Sequence, residues 1–593
     1  MSTDRSNVRR KRSRDWSRTW LAPCGLLLAC LGVCLAPGVV FATTTSLPDA
    51  RVYELVSPIE KHGNEAGASR LEGGAEVEYT VAGADGNSLL YGGTGPFGDV
   101  SSGADFFSVA QRSGESGWSS TAALPAAYGA SAGNYLEDRP SSIYPAADMS
   151  RSVFTAGASY VPGDPPTETN TPTGSEGVFL ASLDKPIEWL SEPREGTSGV
   201  APVPQPGDVR TPSAMLPAGG SPNLEIAYFG YFGTLLPADD PRAASVFAVN
   251  TNGPWGFYES RGGVLAPAGV LPDGSLDPWG AAPAGGLSHF PNHLTPDDFN
   301  NQVSSDGERA FFVSPDPSTF GVGPPTNDPP ELYVREGGRT SVLVSRNSLE
   351  GGSTPTPAQG PAGRAIVGVS NPDACSIYHE CLAYVYASQD GSRAIFESYD
   401  KLATSIAGEM PSGSGPWAYE FNVDTEVLRY LPGVTDGSGG TAPVLASSSD
   451  GSRFLFAKDD VAGDPTELDV DVDGQITRVS PLPSPSPTFL ANGEADNGGT
   501  LDIAPARAST DGSVFVFETD SPLPGGFNNA GGYNQVYRYE AGSGKLSCVS
   551  CQSLGVPSGD ARLSNDDDQT GEPKADKTTK HLLGSRGISA DGT

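Results

Sequence analysis

The chain has 593 residues, 75 Gly, 53 Pro and a formal net charge of −34. Gly and Pro at that density exclude long helices and favour turns between short strands. The acidic balance excludes a general affinity for nucleic acid, because a strongly negative surface repels phosphate backbones and anionic membranes alike.

Residues 1–42 differ from the rest. Arg5, Arg9, Arg10, Lys11, Arg12, Arg14 and Arg18 form a basic head, and Trp20 to Phe41 is an uncharged apolar run. Val40-Phe41-Ala42 fits a small-residue cleavage site, so the segment reads as a secretory signal peptide with the mature chain starting near Thr43. Two alternatives stay open. The run is long enough to remain as a membrane anchor, and Leu27-Leu28-Ala29-Cys30 resembles a lipobox, although apolar residues continue beyond Cys30. Cleavage would remove seven basic and two acidic residues and leave a charge of −39. A secreted or cell-envelope protein is expected. Residues 43–80 form an N-terminal segment in which Ala50 to Pro58 reads as a strand, a candidate for the outer strand that closes the last sheet of an array.

From Val81 to Thr593 one phrase recurs. It reads Ser304-Ser305-Asp306-Gly307-Glu308-Arg309-Ala310-Phe311-Phe312 and returns at Ser388 to Phe396, Ser448 to Phe456 and Ser509 to Phe517. Weaker copies lie at Ala84-Asp85-Gly86, at Ala147-Asp148-Met149, where Met replaces Gly, and at Ser221-Pro222-Asn223-Leu224. A last copy, Ser589-Ala590-Asp591-Gly592-Thr593, lacks the apolar run that follows the others, and the expectation is that the protein continues beyond it. Each copy has a second half, such as Leu332-Tyr333-Val334-Arg335 or Gln535-Val536-Tyr537-Arg538-Tyr539, followed by a Gly-rich turn and another short run. This is hairpin grammar. Two hairpins per unit make a four-stranded antiparallel sheet, which must stack on its neighbours to bury both faces. The expected fold is all-β: a β-propeller of about seven recognisable sheets plus the start of an eighth. Segments 159–176, 196–216, 262–286, 347–363 and 553–587 read as loops that make the spacing irregular.

The phrase Ser-x-Asp-Gly-x-Arg with its apolar run, together with the later Val-Tyr-x-Tyr hairpin, resembles the WD40-like (PD40) repeats of TolB-type β-propellers of exported bacterial proteins. The copies at Asp306, Asp390, Asp450 and Asp511 carry the resemblance; those at Asp85, Asp148 and Asn223 depart from it. The resemblance implies a propeller that binds proteins, peptides or sugars, or that governs access to a fused enzyme. It carries over no catalytic residues.

Candidate chemistry is sparse. Asp469-x-Asp471-x-Asp473-Gly474 matches the front of a calcium loop, but its twelfth position is Ser480 rather than a bidentate Glu. A plain hairpin turning at Asp473-Gly474 is favoured, with Ca2+ as the alternative. Cys375, Cys381, Cys548 and Cys551 survive signal cleavage, and the local pairs Cys375–Cys381 and Cys548–Cys551 are the simple disulfide assignment. Zinc shared among those Cys and His379 is the rival. Gly129-Ala130-Ser131-Ala132-Gly133 spells a nucleophile elbow between Ala/Gly-rich flanks where a strand and a helix are needed. His289 and His293 are separated by Pro291, which spoils a helical metal pair. The reading is a non-catalytic binding or scaffold surface for a protein, peptide or glycan, with no nucleic-acid partner and no membrane contact beyond an N-terminal anchor. The alternative is a hydrolase or lyase acting in the propeller channel, or the propeller half of a longer enzyme.

Overall fold

The computed structural model describes residues 54–61, 66, 68–70, 76–78, 80–84, 86–93, 107–112, 117–124, 140–156, 160–161, 177–192, 194, 216–232, 235–236, 255–276, 281–284, 301–314, 331–349, 356–357, 384–398, 400–412, 417–432, 444–459, 465–481, 506–519, 523, 533 and 535–551. Two compact units, Met1–Glu54 and Leu55–Thr593, divide the chain, and every sheet lies in the second.

Among the described residues, seven four-stranded antiparallel sheets follow one another in sequence. Sheet 1 takes Thr80–Ala82, Ser88–Gly92, Phe107–Arg112 and Trp118–Ala122. Sheet 2 takes Pro140–Pro145, Arg151–Ala156, Gly177–Ser182 and Glu188–Trp189, and sheet 3 takes Leu216–Gly220, Ile226–Phe232, Trp255–Arg261 and Val264–Pro267. Sheet 4 takes Ala282–Pro283, Arg309–Ser314, Glu331–Glu336 and Thr340–Leu343. Sheet 5 takes Tyr384–Ala387, Arg393–Ser398, Trp417–Asn422 and Val427–Tyr430. Sheet 6 takes Val444–Ser447, Arg453–Asp459, Pro465–Val472 and Gln475–Pro481, and sheet 7 takes Ala506–Ala508, Val514–Thr519, Gln535–Glu540 and Lys545–Cys548. No helix occurs among the described residues.

The order in each sheet is that of simple up-and-down hairpins, because β-branched and aromatic runs alternate with tight turns. Each sheet is apolar on both faces, so it must be covered twice. Phe154 and Phe179 of sheet 2 pack with Leu90 and Val109 of sheet 1, whereas Val153 and Leu180 pack with Phe229 and Tyr258 of sheet 3. Tyr228 and Phe257 then meet Phe312 and Tyr333, Phe311 and Val334 meet Phe396 and Tyr419, and Leu455 and Val470 meet Phe515 and Tyr537. The first strand of sheet 5 bonds to both neighbouring sheets: Ala387 O accepts from Asn301 Nδ2, which precedes the second strand of sheet 4, at 2.8 Å, and Tyr386 OH meets Ser447 Oγ on the first strand of sheet 6. First strands are therefore innermost, and the fold is a β-propeller.

Two sequence expectations need correction. Residues 262–286 are not all loop, since Val264–Pro267 completes sheet 3 and Ala282–Pro283 begins sheet 4. Likewise Thr356–Pro357, inside 347–363, pairs with Arg346–Asn347. Pro at strand edges hid both, because Pro is tolerated there without a ladder donor. The innermost strand of sheet 4 is split as well: Ala282 pairs with Val313, and Val303 pairs with Ala310 from the other side of residues 285–300. The described part of the Ala50 to Pro58 segment is not a strand; Val56 packs on Tyr91 and Ala110 of sheet 1, and its carbonyl accepts from Ser120 Oγ at 3.4 Å.

Candidate functional site

The repeated phrase builds the turn between the first and second strands. Ser Oγ donates to Asp Oδ1 in Ser304–Asp306 (2.6 Å), Ser388–Asp390 (2.7 Å), Ser448–Asp450 (2.7 Å) and Ser509–Asp511 (2.8 Å). The same Oδ1 accepts the N–H of Glu308, Ser392, Ser452 and Ser513. Each Ser Oγ also accepts the N–H that opens the next strand, from Arg309, Arg393, Arg453 and Val514. These carboxylates are occupied as acceptors of local bonds. The Ser513 N–H and hydroxyl, with the Ser509 hydroxyl, hold the Asp511 carboxyl down at about 2. Partial burial pushes Asp450 up, but bonds from Ser448 and Ser452 outweigh it and the carboxyl titrates below its usual range.

The turns also bond to each other. Ala84 N–H donates to Ala147 O (2.6 Å), Ala147 to Pro222 O (2.7 Å), Ser305 to Gln389 O (2.7 Å), Asp390 to Ser449 O (3.0 Å) and Ser449 to Thr510 O (2.9 Å). Pro222 has no N–H, so the step from sheet 3 to sheet 4 lacks its bond. The Gly of the phrase has φ of 63–73° at Gly307, Gly391, Gly451 and Gly512. A Cβ on Gly451 would stand 2.9 Å from Ser388 Cβ, so Gly serves both the turn and the close approach of the preceding sheet. Two of the weak copies keep this geometry without Gly. Met149 (φ 60°) and Leu224 (φ 53°) are left-handed, and their buried side chains join the cores between sheets 1 and 2 and between sheets 2 and 3.

Ion pairs cross between sheets at the same end. Arg151 meets Glu225 at 2.8 Å, Arg261 meets Glu308 at 3.0 Å and Arg393 meets Asp473 at 3.3 Å, while Arg309 bonds Asp424. Two of the sheet contacts hold buried charge. Between sheets 5 and 6, Arg429 lies 2.5 Å from Glu420 and 3.8 Å from Asp471. Between sheets 3 and 4, Glu259 and Arg335 are buried beside Arg261. The equivalent positions of the intervening contact are apolar, with Val334 near Phe421.

This places the calcium candidates. Asp469 and Asp471 are buried on the third strand of sheet 6, and Asp473 is in the turn with φ of 49°. Asp471 accepts Gly474 N–H at 2.7 Å and faces Arg429; Asp473 faces Arg393. Guanidinium groups meet all three carboxylates, Arg478 lying 4.0 Å from Asp469, so a hairpin with ion pairs accounts for the spacing. No group of three or more His, Cys, Asp or Glu among the described residues is arranged to hold a metal. Cys548 and Cys551 are bonded as a disulfide, with Cα atoms 5.5 Å apart. Cys375, Cys381, all five His and the Gly129 to Gly133 phrase lie outside the described residues.

In an up-and-down sheet the first and third connections leave one end, and the second leaves the other with the link to the next sheet. The first end carries mostly short turns, such as Ala387 to Arg393 and Asn422 to Val427, the exception being the Pro283 to Arg309 connection of sheet 4. The second carries long connections, such as Phe232 to Trp255, Ser314 to Glu331, Leu343 to Tyr384 and Pro481 to Ala506. Here a second recurring Ser appears, which leaves no pattern in the sequence because it is a single residue. Ser191, Ser345 and Ser550 Oγ accept the N–H of Val178, Leu332 and Val536 at 2.9–3.0 Å. In sheet 4 Ser345 also donates to Glu331, and in sheet 7 Ser550 donates to Gln535 at 3.0 Å. Burial drives the Glu331 carboxyl well above its usual range; the Ser345 hydroxyl opposes this and the Asp400 charge adds to it. At the other end, beside the short turns, stand the neutral groups of Asn301, Tyr386 and Ser447, with the Tyr386 phenol pushed up to about 12 by burial.

Glu331 supplies a test. Its raised carboxyl favours the fold most below the ordinary value of 4.5, and that advantage is lost as pH rises towards the folded value. Glu331→Gln keeps an acceptor for Ser345, as Gln535 does for Ser550. We expect E331Q to melt above the parent at pH 8 and level with it at pH 4. A variant that melts lower at both pH values would contradict this.

No protein-family model and no curated protein sequence matches the chain. Solved structures with similar folds include the Porphyromonas gingivalis dipeptidyl peptidase 4 (10% identity, TM-score 0.36, covering 82% of this chain and 54% of that one). TolB from Acinetobacter baumannii matches at 11% identity and TM-score 0.23, over 67% of this chain and 61% of that one. An oligogalacturonate lyase in complex with manganese matches at 12% identity and TM-score 0.32, over 80% and 90%. The chain covers 49% of a prolyl endopeptidase, so it spans about half the length of the two peptidases. These likenesses concern the fold alone. The class of protein that fold and site define is a β-propeller with one end locked by turns and the other carrying long connections.

Proposed function

We propose that the chain is an exported, non-catalytic propeller of the TolB-like PD40-repeat type. It acts as a binding surface for a protein, peptide or glycan at the cell envelope or outside it. The asymmetry of its ends carries this reading: the short turns bond to one another, which leaves the long connections to vary and to bind. The basic head and apolar run of residues 1–42 support export.

The test joins binding to turnover. Mature protein should bind members of a glycan or peptide array, and shortening residues 315–330 should weaken that binding without lowering the melting temperature. Chromogenic peptide and glycan substrates should pass unchanged. Turnover of either class would establish the hydrolase or lyase reading instead. Binding unaltered by changes at the long-connection end would reject the assignment of the surface.

A further inference from the structure

Among the described residues, the turn that ends the outermost strand is held in the same way in sheets 2, 4 and 7. In sheet 2 the N–H groups of Leu190 and Ser191 donate to Val178 O at 2.9 and 3.2 Å, and Ser191 Oγ accepts Val178 N–H. In sheet 4 those of Val344 and Ser345 donate to Leu332 O at 2.8 and 3.3 Å, and Ser345 Oγ accepts Leu332 N–H. In sheet 7 those of Val549 and Ser550 donate to Val536 O at 2.8 and 3.5 Å, and Ser550 Oγ accepts Val536 N–H. The flanking residues are Trp189 and Glu192 in sheet 2, and Leu343 and Arg346 in sheet 4. In sheet 7 they are Cys548 and Cys551, joined as a disulfide. Hydrogen bonds alone hold the turn in two sheets, so its shape does not need the covalent bond of the third.

The sulfurs also have a distinct setting. Glu192 N–H donates to Trp189 O at 3.4 Å, whereas Cys551 N–H points at Cys548 Sγ at 3.1 Å. A donor already fixed on an atom stabilises negative charge that develops there without reorganising. Both cysteines are half-buried, and Val549 between them is 61% exposed, where its equivalents Leu190 and Val344 are buried at 5% and 0%. The turn of sheet 7 is therefore open to an approaching chain.

We propose that Cys548–Cys551 is a thiol–disulfide exchange site that takes two electrons from a cysteine pair on another polypeptide. It lies at the end with the long connections, and it stands independently of the binding reading above. A thiolate of the partner pair attacks Cys551 Sγ. The Cys548–Cys551 bond breaks, and Cys548 Sγ leaves as a thiolate that accepts the Cys551 N–H. The partner's second thiolate then attacks its own sulfur in the mixed disulfide and releases Cys551. The partner gains a disulfide and gives up two electrons and two protons, and both cysteines end as thiols. One pair is oxidised per chain, so no further oxidant enters. Ser550 holds the turn throughout and keeps the two sulfurs in reach of each other for the reverse reaction.

The test uses the oxidised full chain, mixed with a synthetic peptide dithiol and, separately, with limiting glutathione. The dithiol should be oxidised at least about tenfold faster than by an oxidised synthetic peptide of residues 545–553, in which nothing fixes the donor. Glutathione has one thiol and should stop at the mixed disulfide. Alkylation and peptide mapping, which separate this pair from Cys375 and Cys381, should find glutathione on Cys551 and the alkyl group on Cys548. The double variant Cys548→Ser, Cys551→Ser should lose the fast oxidation and melt within about 2 °C of the oxidised parent. A disulfide that reacts only after unfolding, or no faster than the short peptide, would overturn the proposal, as would glutathione on Cys548. A double variant that melts far below the parent would mark the bond as a structural staple and overturn it too.

Discussion

Arg429→Met should lower stability by about 3–5 kcal/mol, because it leaves two buried carboxylates without their cation. Arg429 is flanked by Glu420 at 2.5 Å and Asp471 at 3.8 Å, and both carboxylates are almost wholly buried between sheets 5 and 6. Burial alone would push the guanidinium down, but Glu420 and then Asp471 and Asp473 reverse the direction and hold it charged. Burial raises the Asp471 carboxyl, and Gly474 N–H and Arg429 restrain it. Removing Arg429 raises it further. A carboxyl raised in the fold stabilises below its ordinary value and loses that stability as pH rises. The gap in urea midpoint between parent and variant should therefore be wide at pH 8 and narrow near pH 4. Adding Glu420→Gln and Asp471→Asn should recover most of the loss, since the neutral groups cost less to bury. An R429M midpoint within experimental error of the parent at pH 8 would show the cluster to be solvated.

The second large effect is expected at the repeat glycines, and the chain provides its own control. Gly451 and Gly544 have the same φ of 66°, yet a Cβ on Gly451 meets Ser388 Cβ at 2.9 Å and one on Gly544 meets nothing within 4 Å. Gly544→Ala should cost only backbone strain, about 1–2 kcal/mol. Gly451→Ala should cost that and a further 1–3 kcal/mol or so for overpacking against sheet 5. Equal losses in the two variants would mean that the phrase shapes a turn and nothing more.

The fold was legible because its signal is repeated. Ser-x-Asp-Gly marks the turn in four copies, and Phe312, Phe396, Phe456 and Phe517 mark the strand after it. The weaker copies at Asp148 and Asn223 were legible for the same reason, although Met149 and Leu224 occupy the left-handed position at a cost that core packing offsets. What escaped was the interlock between sheets. Ser305 and Gln389 are 84 residues apart, and no local pattern says that their backbones bond. At Asp469 to Asp473, where the spacing favours a hairpin with Ca2+ as the alternative, the ion pairs were hidden for a related reason. Two of its cations, Arg429 and Arg393, come from the neighbouring sheet, which a window along the chain cannot see; the third, Arg478, lies on the next strand of the same sheet. Glu331 was equally hidden, because its meaning depends on Ser345 at the end of the next strand and on Asp400 of sheet 5.

Amide exchange at Ser305 and Ser449 tests the interlock most directly. Both sit in turns at the surface, and the acceptors of their N–H groups belong to the following sheet. If the phrase locks sheet to sheet, these amides should be protected to the level of the buried strand amides of Phe311 and Phe515. If the turns merely reverse the chain, both will exchange at the rate of an unstructured peptide while those strand amides remain protected.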